Sequence, residues 1–518
     1  MNDGKICVPV CAETADEMIA KIKQAEEFSD VIEVRFDCLR KDELEALHMR
    51  IAGACGPSNK IIDSTTSPII STFRSKEQGG CRELSPVERE AFWTSGHETE
   101  YCDVEEDLVQ ITELPWLWGY RICSYHDFSG VPKKIEEIFD RLALTDADII
   151  KIAVQADDVT HAIPVWKLLE YAKVYNARLY KPARMQEVIP VAMAEAGKWT
   201  RILGLAHGAY LTYGSLDDGD GTAPGQITAK ELIEVYRVKE LDQGTRVYGI
   251  VGDPVARSLS PYMLNPAFAA SGINAVYVPF LVKDLEGFVR RMVREETREV
   301  ELNFGGFSVT MPHKQSIMKY LDAIDPVAQT IGAVNTIRID GDKLTGYNTD
   351  AYGFITPLKE RFGDLKDARI AVFGAGGAAR ACVYALREEM AEVTVAARDE
   401  HKASLLGEEF SVTCASIEAT DPRGFDIVVD TTPLGMSGPL EDDSLFTAEQ
   451  LEGVKFVYDL VTKPTDTPIV REAKKAGIPA IDGLEMLIAQ GAKQFEIWTG
   501  RAAPVELMRR SLVSRIGS

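Results

Sequence analysis

Eight short β-rich runs recur in the first part of the chain, at residues 5–10, 31–36, 68–73, 101–105, 119–125, 148–154, 188–193 and 211–214. Helical patterns such as 13–27, 131–142 and 162–174 lie between most of them. A βα unit repeated eight times in roughly 240 residues predicts a closed (β/α)8 barrel, with a parallel sheet inside and helices outside. In such a barrel, polar side chains at the C-terminal strand ends face the functional site. Glu33, Arg35, Arg74, His126 and Asp127 stand at such ends, and Lys151 lies within the sixth run.

The barrel does not use the whole chain. At 518 residues, roughly three domains are expected. A loop by composition, Asp217-Asp218-Gly219-Asp220-Gly221, precedes a predicted helix at 228–239 and a break at Asp242-Gln243-Gly244. New βα patterns begin at 247–251 and 369–373, the latter running straight into Gly374-Ala375-Gly376-Gly377-Ala378-Ala379-Arg380. With 45% hydrophobic and 26% charged residues, disorder is excluded as the main state. The net charge of −23 repels nucleic acid and anionic membrane, so neither is an expected partner, and an anionic substrate must be met by local basic residues. No apolar run approaches a membrane span and the first residues are polar, so the cytoplasm is the expected location. Nine cysteines without a CxxC pair are read as reduced, mostly buried small hydrophobes, and no metal site is expected.

Lys151 sits in Asp148-Ile149-Ile150-Lys151-Ile152-Ala153-Val154. Desolvation disfavours an ammonium and frees an amine to attack a carbonyl; the plainer alternative is a buried ion pair. His126, one strand earlier, supplies a group that moves protons near neutral pH. With Glu33-Val34-Arg35-Phe36-Asp37, Thr72-Phe73-Arg74-Ser75, Ser124-Tyr125-His126-Asp127 and Thr222-Ala223-Pro224-Gly225-Gln226, residues 5–240 resemble the type I 3-dehydroquinate dehydratases. The resemblance implies that Lys151 forms an imine with the substrate ketone and that His126 is general base, then acid. It implies anion and hydroxyl binding by Arg35, Arg74 and Arg201, with Glu33, Thr222 and Gln226 completing the pocket. Gln78 stands where that family has a Glu supporting the histidine, which leaves the imidazole's orienting partner open. The loops 78–82 and 215–225 are candidate lids.

The glycine-rich turn after 369–373 permits close approach of backbone to a pyrophosphate at a helix N-terminus. From residue 246 on, Ser258-Leu259-Ser260-Pro261, Ser308-Val309-Thr310-Met311-Pro312-His313-Lys314, Gly332-Ala333-Val334-Asn335-Thr336 and Gly346-Tyr347-Asn348-Thr349-Asp350 follow in order. Thr431-Thr432-Pro433-Leu434-Gly435-Met436 and Asp482-Gly483-Leu484-Glu485-Met486 continue them, and the segment resembles shikimate dehydrogenase. The resemblance implies Lys314 and Asp350 as the catalytic pair, Ser258, Ser260 and Thr310 as carboxylate ligands, and Asn335 and Gln490 as hydroxyl ligands. It implies a cofactor site at Gly374, Ala375, Gly376, Gly377 and Ala378, with Arg398, Lys402, Thr432 and Gly483. Arg398 and Lys402 favour NADP; Asp399 leaves NAD possible.

Together these resemblances predict an α/β chain with three domains. They are a barrel at 1–242, a substrate domain at 245–350 with 483–518, and a Rossmann-type dinucleotide domain at 351–482. The expected function is dehydration of 3-dehydroquinate followed by NADPH-dependent reduction of 3-dehydroshikimate to shikimate. The alternatives are a chain with one active half, a dehydrogenase acting on quinate, and a quinate-type sensor or repressor without activity. A monomer is preferred over a homodimer.

Overall fold

The structure, a computed structural model, describes residues 2–48, 57–94, 99–111, 119–178, 185–217, 219, 221–223, 225–462 and 466–517. Asp218, Asp220 and Pro224 of the predicted second lid lie outside the described residues. The chain divides into two compact units, Met1–Val247 with Asp253–Ala256 and Asn274–Asn303, and Tyr248–Gly252 with Arg257–Ile273 and Phe304–Ser518.

The first unit holds eight parallel strands: β1 (Lys5–Val10), β2 (Val31–Arg35), β3 (Ile69–Thr72), β4 (Tyr101–Glu105), β5 (Tyr120–Asp127), β6 (Ile149–Gln155), β7 (Glu187–Met193) and β8 (Leu211–Tyr213). Their order, β7-β6-β5-β4-β3-β2-β1-β8, is that of a nearly closed barrel. Between the end strands, Tyr210 N–H donates to the Val188 carbonyl at 3.0 Å.

The outer helices follow from their sequences. Ile135–Ala143 buries Ile135, Ile138, Phe139 and Leu142, a stripe at 3.6-residue spacing, with Glu136 and Glu137 at its positive end and Arg141 in its last turn. The helix expected at 228–239 is shorter, Ala229–Glu234: Thr228 caps its start, and Arg237 adopts φ +52°, a left-handed conformation that a helix does not continue through. In the same unit lies β10 (Ala275–Leu281), after β9 (Arg246–Gly252) in the chain. The buried Asp158 carboxylate accepts from the N–H groups of Lys283 and Asp284 at 2.8 and 3.2 Å.

The cysteine expectation is corrected here. Cys11 and Cys38 form a disulfide. Their side chains leave the ends of β1 and β2, which the parallel pairing holds side by side, a proximity that spacing along the chain does not reveal.

A sheet of the second unit runs β9, β11 (Phe304–Val309), β13 (Thr336–Asp340), β14 (Lys343–Tyr347) and β12 (Ala323–Ile324), with antiparallel pairing of β13 to both β11 and β14. A second sheet is wholly parallel. Its order is β17 (Thr413–Ser416), β16 (Glu392–Ala397), β15 (Arg369–Phe373), β18 (Ile427–Asp430), β19 (Phe456–Asp459) and β20 (Ala480–Ile481). This is the doubly wound arrangement, whose topological switch point lies where the first strand, β15, meets β18. Among the described residues, no helix is long and apolar enough to cross a membrane.

Candidate active sites

The barrel interior is built in layers by the two-residue period of its strands. Cys7, Val31, Ile70, Tyr101, Ile122, Ile149, Ile189 and Leu211 form one apolar layer, each strand giving one side chain. Burying a side chain of this size stabilises by about 1.5–3 kcal/mol. Two residues further along six of the strands the character changes to Glu33, Thr72, Asp103, Ser124, Lys151 and Tyr213, all buried. Two further on stand Arg35, Arg74, Glu105 and His126, also buried. An apolar floor thus carries a charged second layer, which is a binding pocket rather than a core.

Lys151 is 4% exposed. Its Nζ donates to Asp103 Oδ2 at 2.7 Å, lies 3.6 Å from Glu33 Oε1, and sits 4.5 Å above the Tyr213 ring. Arg74 Nη2 donates to the same Asp103 oxygen at 2.5 Å. Burial opposes ionisation of Asp103, but Arg74 and Lys151 outweigh it and hold the carboxyl well below its ordinary value. Glu33 accepts from Thr72 Oγ1 at 2.8 Å. Arg35 is gripped by Asp37, with Nε 3.0 Å from Oδ1 and Nη2 2.8 Å from Oδ2, and also donates to the Gly79 carbonyl. Burial draws the Arg201 guanidinium down to about 10.

All the residues expected in the first pocket line one cavity: Glu33, Arg35, Arg74, His126 and Lys151 from the strands, with Arg201, Thr222 and Gln226 from the segments after β7 and β8. Gln78 lines it too, and its Oε1 accepts from the His126 backbone N–H at 3.2 Å. The glutamine therefore holds the histidine's main chain. The imidazole Nδ1 is buried without a protein partner among the described residues, so no carboxylate hydrogen-bonds to that nitrogen. Burial, then Arg74 and Lys151, push the imidazole well below its ordinary value, leaving a neutral ring that accepts a proton. Asp127 points elsewhere, accepting from Ser129 at 2.8 Å.

Sequence reasoning missed Asp103, the partner of both Lys151 and Arg74, and Asp37, the partner of Arg35. The signal was present: an acidic residue inside the β-rich run Tyr101-Cys102-Asp103-Val104-Glu105 is a poor core residue unless paired.

The second constellation lies wholly in the second unit. Lys314 Nζ donates to Asp350 Oδ2 at 2.6 Å, and Asn335 Nδ2 donates to Asp350 Oδ1 at 2.7 Å and to Thr349 Oγ1 at 3.0 Å. Thr349 N–H returns a bond to Asn335 Oδ1 at 2.8 Å, and the Thr349 hydroxyl reaches Gln490 Oε1 at 3.5 Å. Asp350 opens the helix Asp350–Phe362, where its N–H and that of Ala351 donate to Asn348 Oδ1. Gln490 comes from the helix Gly483–Thr499. Ser308 donates its hydroxyl to Gln494 Oε1 at 2.8 Å. Thr349 and Gln494 were not anticipated. Ser260 N–H donates to Ser258 Oγ at 3.3 Å, and Thr310 N–H donates to the Val251 carbonyl at the end of β9. Among the described residues, these three do not hydrogen-bond to the Lys314 network.

The glycine-rich turn follows β15 at the switch point. Gly374 has φ +115°, and a Cβ there would meet Thr431 Oγ1 at 2.2 Å, so only glycine fits. A Cβ at Gly376 would meet nothing within 4 Å, leaving the backbone open to a ligand. The helix Gly377–Glu388 starts without a side-chain cap, so its first N–H groups are available to an anion. A Cβ added at Gly377 would lie 3.7 Å from Lys314 Cδ, which puts the turn beside the lysine. Arg398 and Lys402 follow the end of β16 on one side of β15, and Thr432 follows β18 on the other, its N–H donating to Asp430 Oδ1. Gly483 N–H donates to the Val461 carbonyl beyond β19. These groups fit a dinucleotide with an added phosphate. Asp399 Oδ1 accepts from Lys402 N–H at 3.1 Å, capping its own helix, while Oδ2 pairs with Lys402 Nζ at 3.4 Å.

Comparison with known proteins agrees with both sites. The family profile described as type I 3-dehydroquinase matches residues 6–243. Those of the shikimate dehydrogenase substrate binding domain and the shikimate 5'-dehydrogenase C-terminal domain match residues 250–337 and 483–513. A chloroplastic bifunctional 3-dehydroquinate dehydratase/shikimate dehydrogenase of Arabidopsis thaliana is 32% identical over 98% of this chain and 84% of its own. A shikimate dehydrogenase (NADP(+)) of Methanocaldococcus jannaschii is 40% identical over 52% of this chain and 98% of its own. A crystal structure of shikimate dehydrogenase in complex with NADP+ superposes with TM-score 0.50 at 39% identity, covering 53% of this chain and 97% of that one. Two sites built from separate segments, each matched by its own profile and both spanned by one relative, place the chain in the family of bifunctional 3-dehydroquinate dehydratase/shikimate dehydrogenases.

Proposed function

We propose that the barrel dehydrates 3-dehydroquinate and that the second unit reduces the product, 3-dehydroshikimate, to shikimate with NADPH. The observation that carries the reading is a buried amine, Lys151, sharing a cavity with the imidazole of His126 and the cations Arg35, Arg74 and Arg201. The arginines receive the substrate carboxylate and hydroxyls, with Glu33, Thr222 and Gln226. Once its proton has passed on, the Lys151 amine adds to the ring ketone, water leaves, and the cationic imine acidifies the neighbouring C–H. His126 removes that proton, then protonates the departing hydroxyl. Hydrolysis of the imine releases product and restores Lys151. Asp103 holds the amine in place before reaction.

In the second unit, Lys314 gives its proton to the carbonyl oxygen of 3-dehydroshikimate as that carbonyl is reduced, and Asp350, fixed by Asn335, holds the ammonium in position. NADPH, when bound, supplies the hydride. Gly374, Ala375, Gly376, Gly377 and Ala378 would hold its pyrophosphate, Arg398 and Lys402 its 2′-phosphate, and Thr432 and Gly483 its remaining polar groups. Preference for NADP over NAD is supported by Asp399, whose carboxylate is already used by its own helix and by Lys402. Residues 1–242, 245–350 with 483–518, and 351–482 are assigned to dehydration, substrate binding and cofactor binding. We assign the chain to the cytoplasm as a monomer, to be checked by light scattering of the full chain.

Borohydride reduction in the presence of 3-dehydroquinate tests the central step. A covalent adduct on the peptide carrying Lys151 is expected; turnover without an adduct, or wild-type-like turnover by Lys151→Ala, contradicts it.

A further inference from the structure

Three consecutive barrel strands each deliver one cysteine to the same spot at the rim. Cys11 follows β1, Cys38 lies beyond β2, and Cys81 lies in the loop after β3. The Cys81 Sγ is 3.1 Å from Cys38 Sγ and 3.9 Å from Cys11 Sγ, and all three sulfurs lie within 4.8 Å of one another. It is the only grouping of three or more His, Cys, Asp or Glu ligand atoms at such spacing among the described residues. A disulfide accounts for two of these sulfurs and leaves the convergence of the third unexplained.

The third sulfur is not set up to displace the first. Attack on Cys38 needs the incoming, central and leaving sulfurs in line, which with a bond of about 2 Å puts the outer two roughly 5 Å apart. The 3.9 Å separation describes a triangle instead. Three thiolates around a tetrahedral zinc-like ion, with metal–sulfur bonds of about 2.3 Å, stand roughly 3.8 Å apart. The Cys11–Cys81 edge already has that length, and breaking the Cys11–Cys38 bond frees the two shorter edges to open to it. The open side of the triangle meets solvent: Cys81 is exposed, and Cys11 and Cys81 line a cleft with Arg35, Gly79 and Thr222.

We propose that Cys11, Cys38 and Cys81 form, in their reduced state, a thiolate site for one soft divalent cation such as Zn2+, with solvent as the fourth ligand. A phosphine or thiol reductant supplies the two electrons that convert the Cys11–Cys38 bond into two thiols, taking up two protons. The three thiols then release three protons as three metal–sulfur bonds form. The ion would tie the loop carrying Gln78 and Gly79 to the ends of β1 and β2. It would act next to substrate binding, since Cys81 N–H donates to Asp37 Oδ2 at 2.9 Å, on the carboxylate that grips Arg35.

The test is titration of the full chain with Co2+ after reduction by a phosphine and removal of oxygen, with thiols counted to establish reduction. The expected result is one Co2+ per chain with an intense thiolate-to-cobalt absorption that Zn2+ displaces. That absorption should be lost in Cys81→Ser and kept in Cys414→Ser, which changes an exposed thiol outside the cluster. Far-UV circular dichroism and a retained barrel transition in a denaturant melt report that both variants are folded. Absence of thiolate absorption in the fully reduced protein, or equal absorption in Cys81→Ser, would overturn the proposal.

Discussion

Lys151 Nζ and Arg74 Nη2 converge on one oxygen of Asp103, at 2.7 and 2.5 Å. One buried carboxylate thus holds both the amine proposed to form the imine and a cation proposed to bind substrate. Asp103→Asn should lower dehydratase kcat by about 10²-fold or more while leaving the dehydrogenase unchanged. Asp103→Ala, which takes from Arg74 and Lys151 the carboxylate they share and leaves Glu33 at 3.6 Å from Lys151, should also cost about 3–5 kcal/mol of barrel stability. Separate assays of the two reactions with denaturant melts check both outcomes.

His126 sets the acid limb of dehydration. Burial with Arg74 and Lys151 depresses its pKa below the ordinary 6.5, so the base is neutral down to pH values well under that figure. A pH profile of dehydratase kcat/KM should fall only below the ordinary histidine range. Arg74→Lys keeps the cationic repulsion and should leave that limb in place while raising KM; Arg74→Met should move the limb upward.

Asn335 fixes Asp350, which fixes Lys314. Lys314→Ala should reduce dehydrogenase kcat by about 10²–10⁴-fold. Asn335→Ala should lower kcat less, and raise KM for the substrate. Dehydration should be unaffected in both, which a separate assay of 3-dehydroquinate dehydration without the second step measures directly.

Arg398 and Lys402 are the cations proposed to meet a 2′-phosphate, and Lys402 is shared with Asp399. Arg398→Ala should raise KM for NADPH by about 10-fold or more and leave that for NADH nearly unchanged. An equal change for both cofactors would remove Arg398 from the phosphate site.

Asp430 and Asp459 face each other across β18 and β19, both fully buried. Burial and the neighbouring Asp459 raise Asp430 to about 7, and burial raises Asp459 to about 6. A carboxyl with a raised folded pKa holds its proton where the unfolded chain has lost it. The folded state thus binds more protons from about pH 3.8 to 7, and stability falls as pH rises through that window. Asp430→Asn, which keeps the acceptor for Thr432 N–H, should stabilise the chain by about 1–3 kcal/mol at pH 8 and by little near pH 4. Thermal melts across pH read this out.

The barrel was legible because periodicity and alternation are local. The runs at 5–10 and 101–105 coincide with β1 and β4, and the others differ by one or two residues at their ends. Motif residues that line the barrel cavity were legible for a related reason: Glu33 and Lys151 are polar residues flanked by apolar ones on their strands. Gln78 shows the limit. Its identity warned that the histidine had lost a carboxylate, and only the fold showed that it holds the backbone of His126 instead.

Sequence by itself determined the number of βα units, the glycine turn, the two motif sets and the charge that demands local cations. Tertiary structure decided the partners: Asp103 for Lys151 at a separation of 48 residues, Asp37 for the loop at Cys81, and the meeting of Cys11, Cys38 and Cys81. The reason is geometric. A two-residue period states which side chains point inward along a strand, but which of them meet depends on strand order and stagger, and those are set only when the sheet curls and closes.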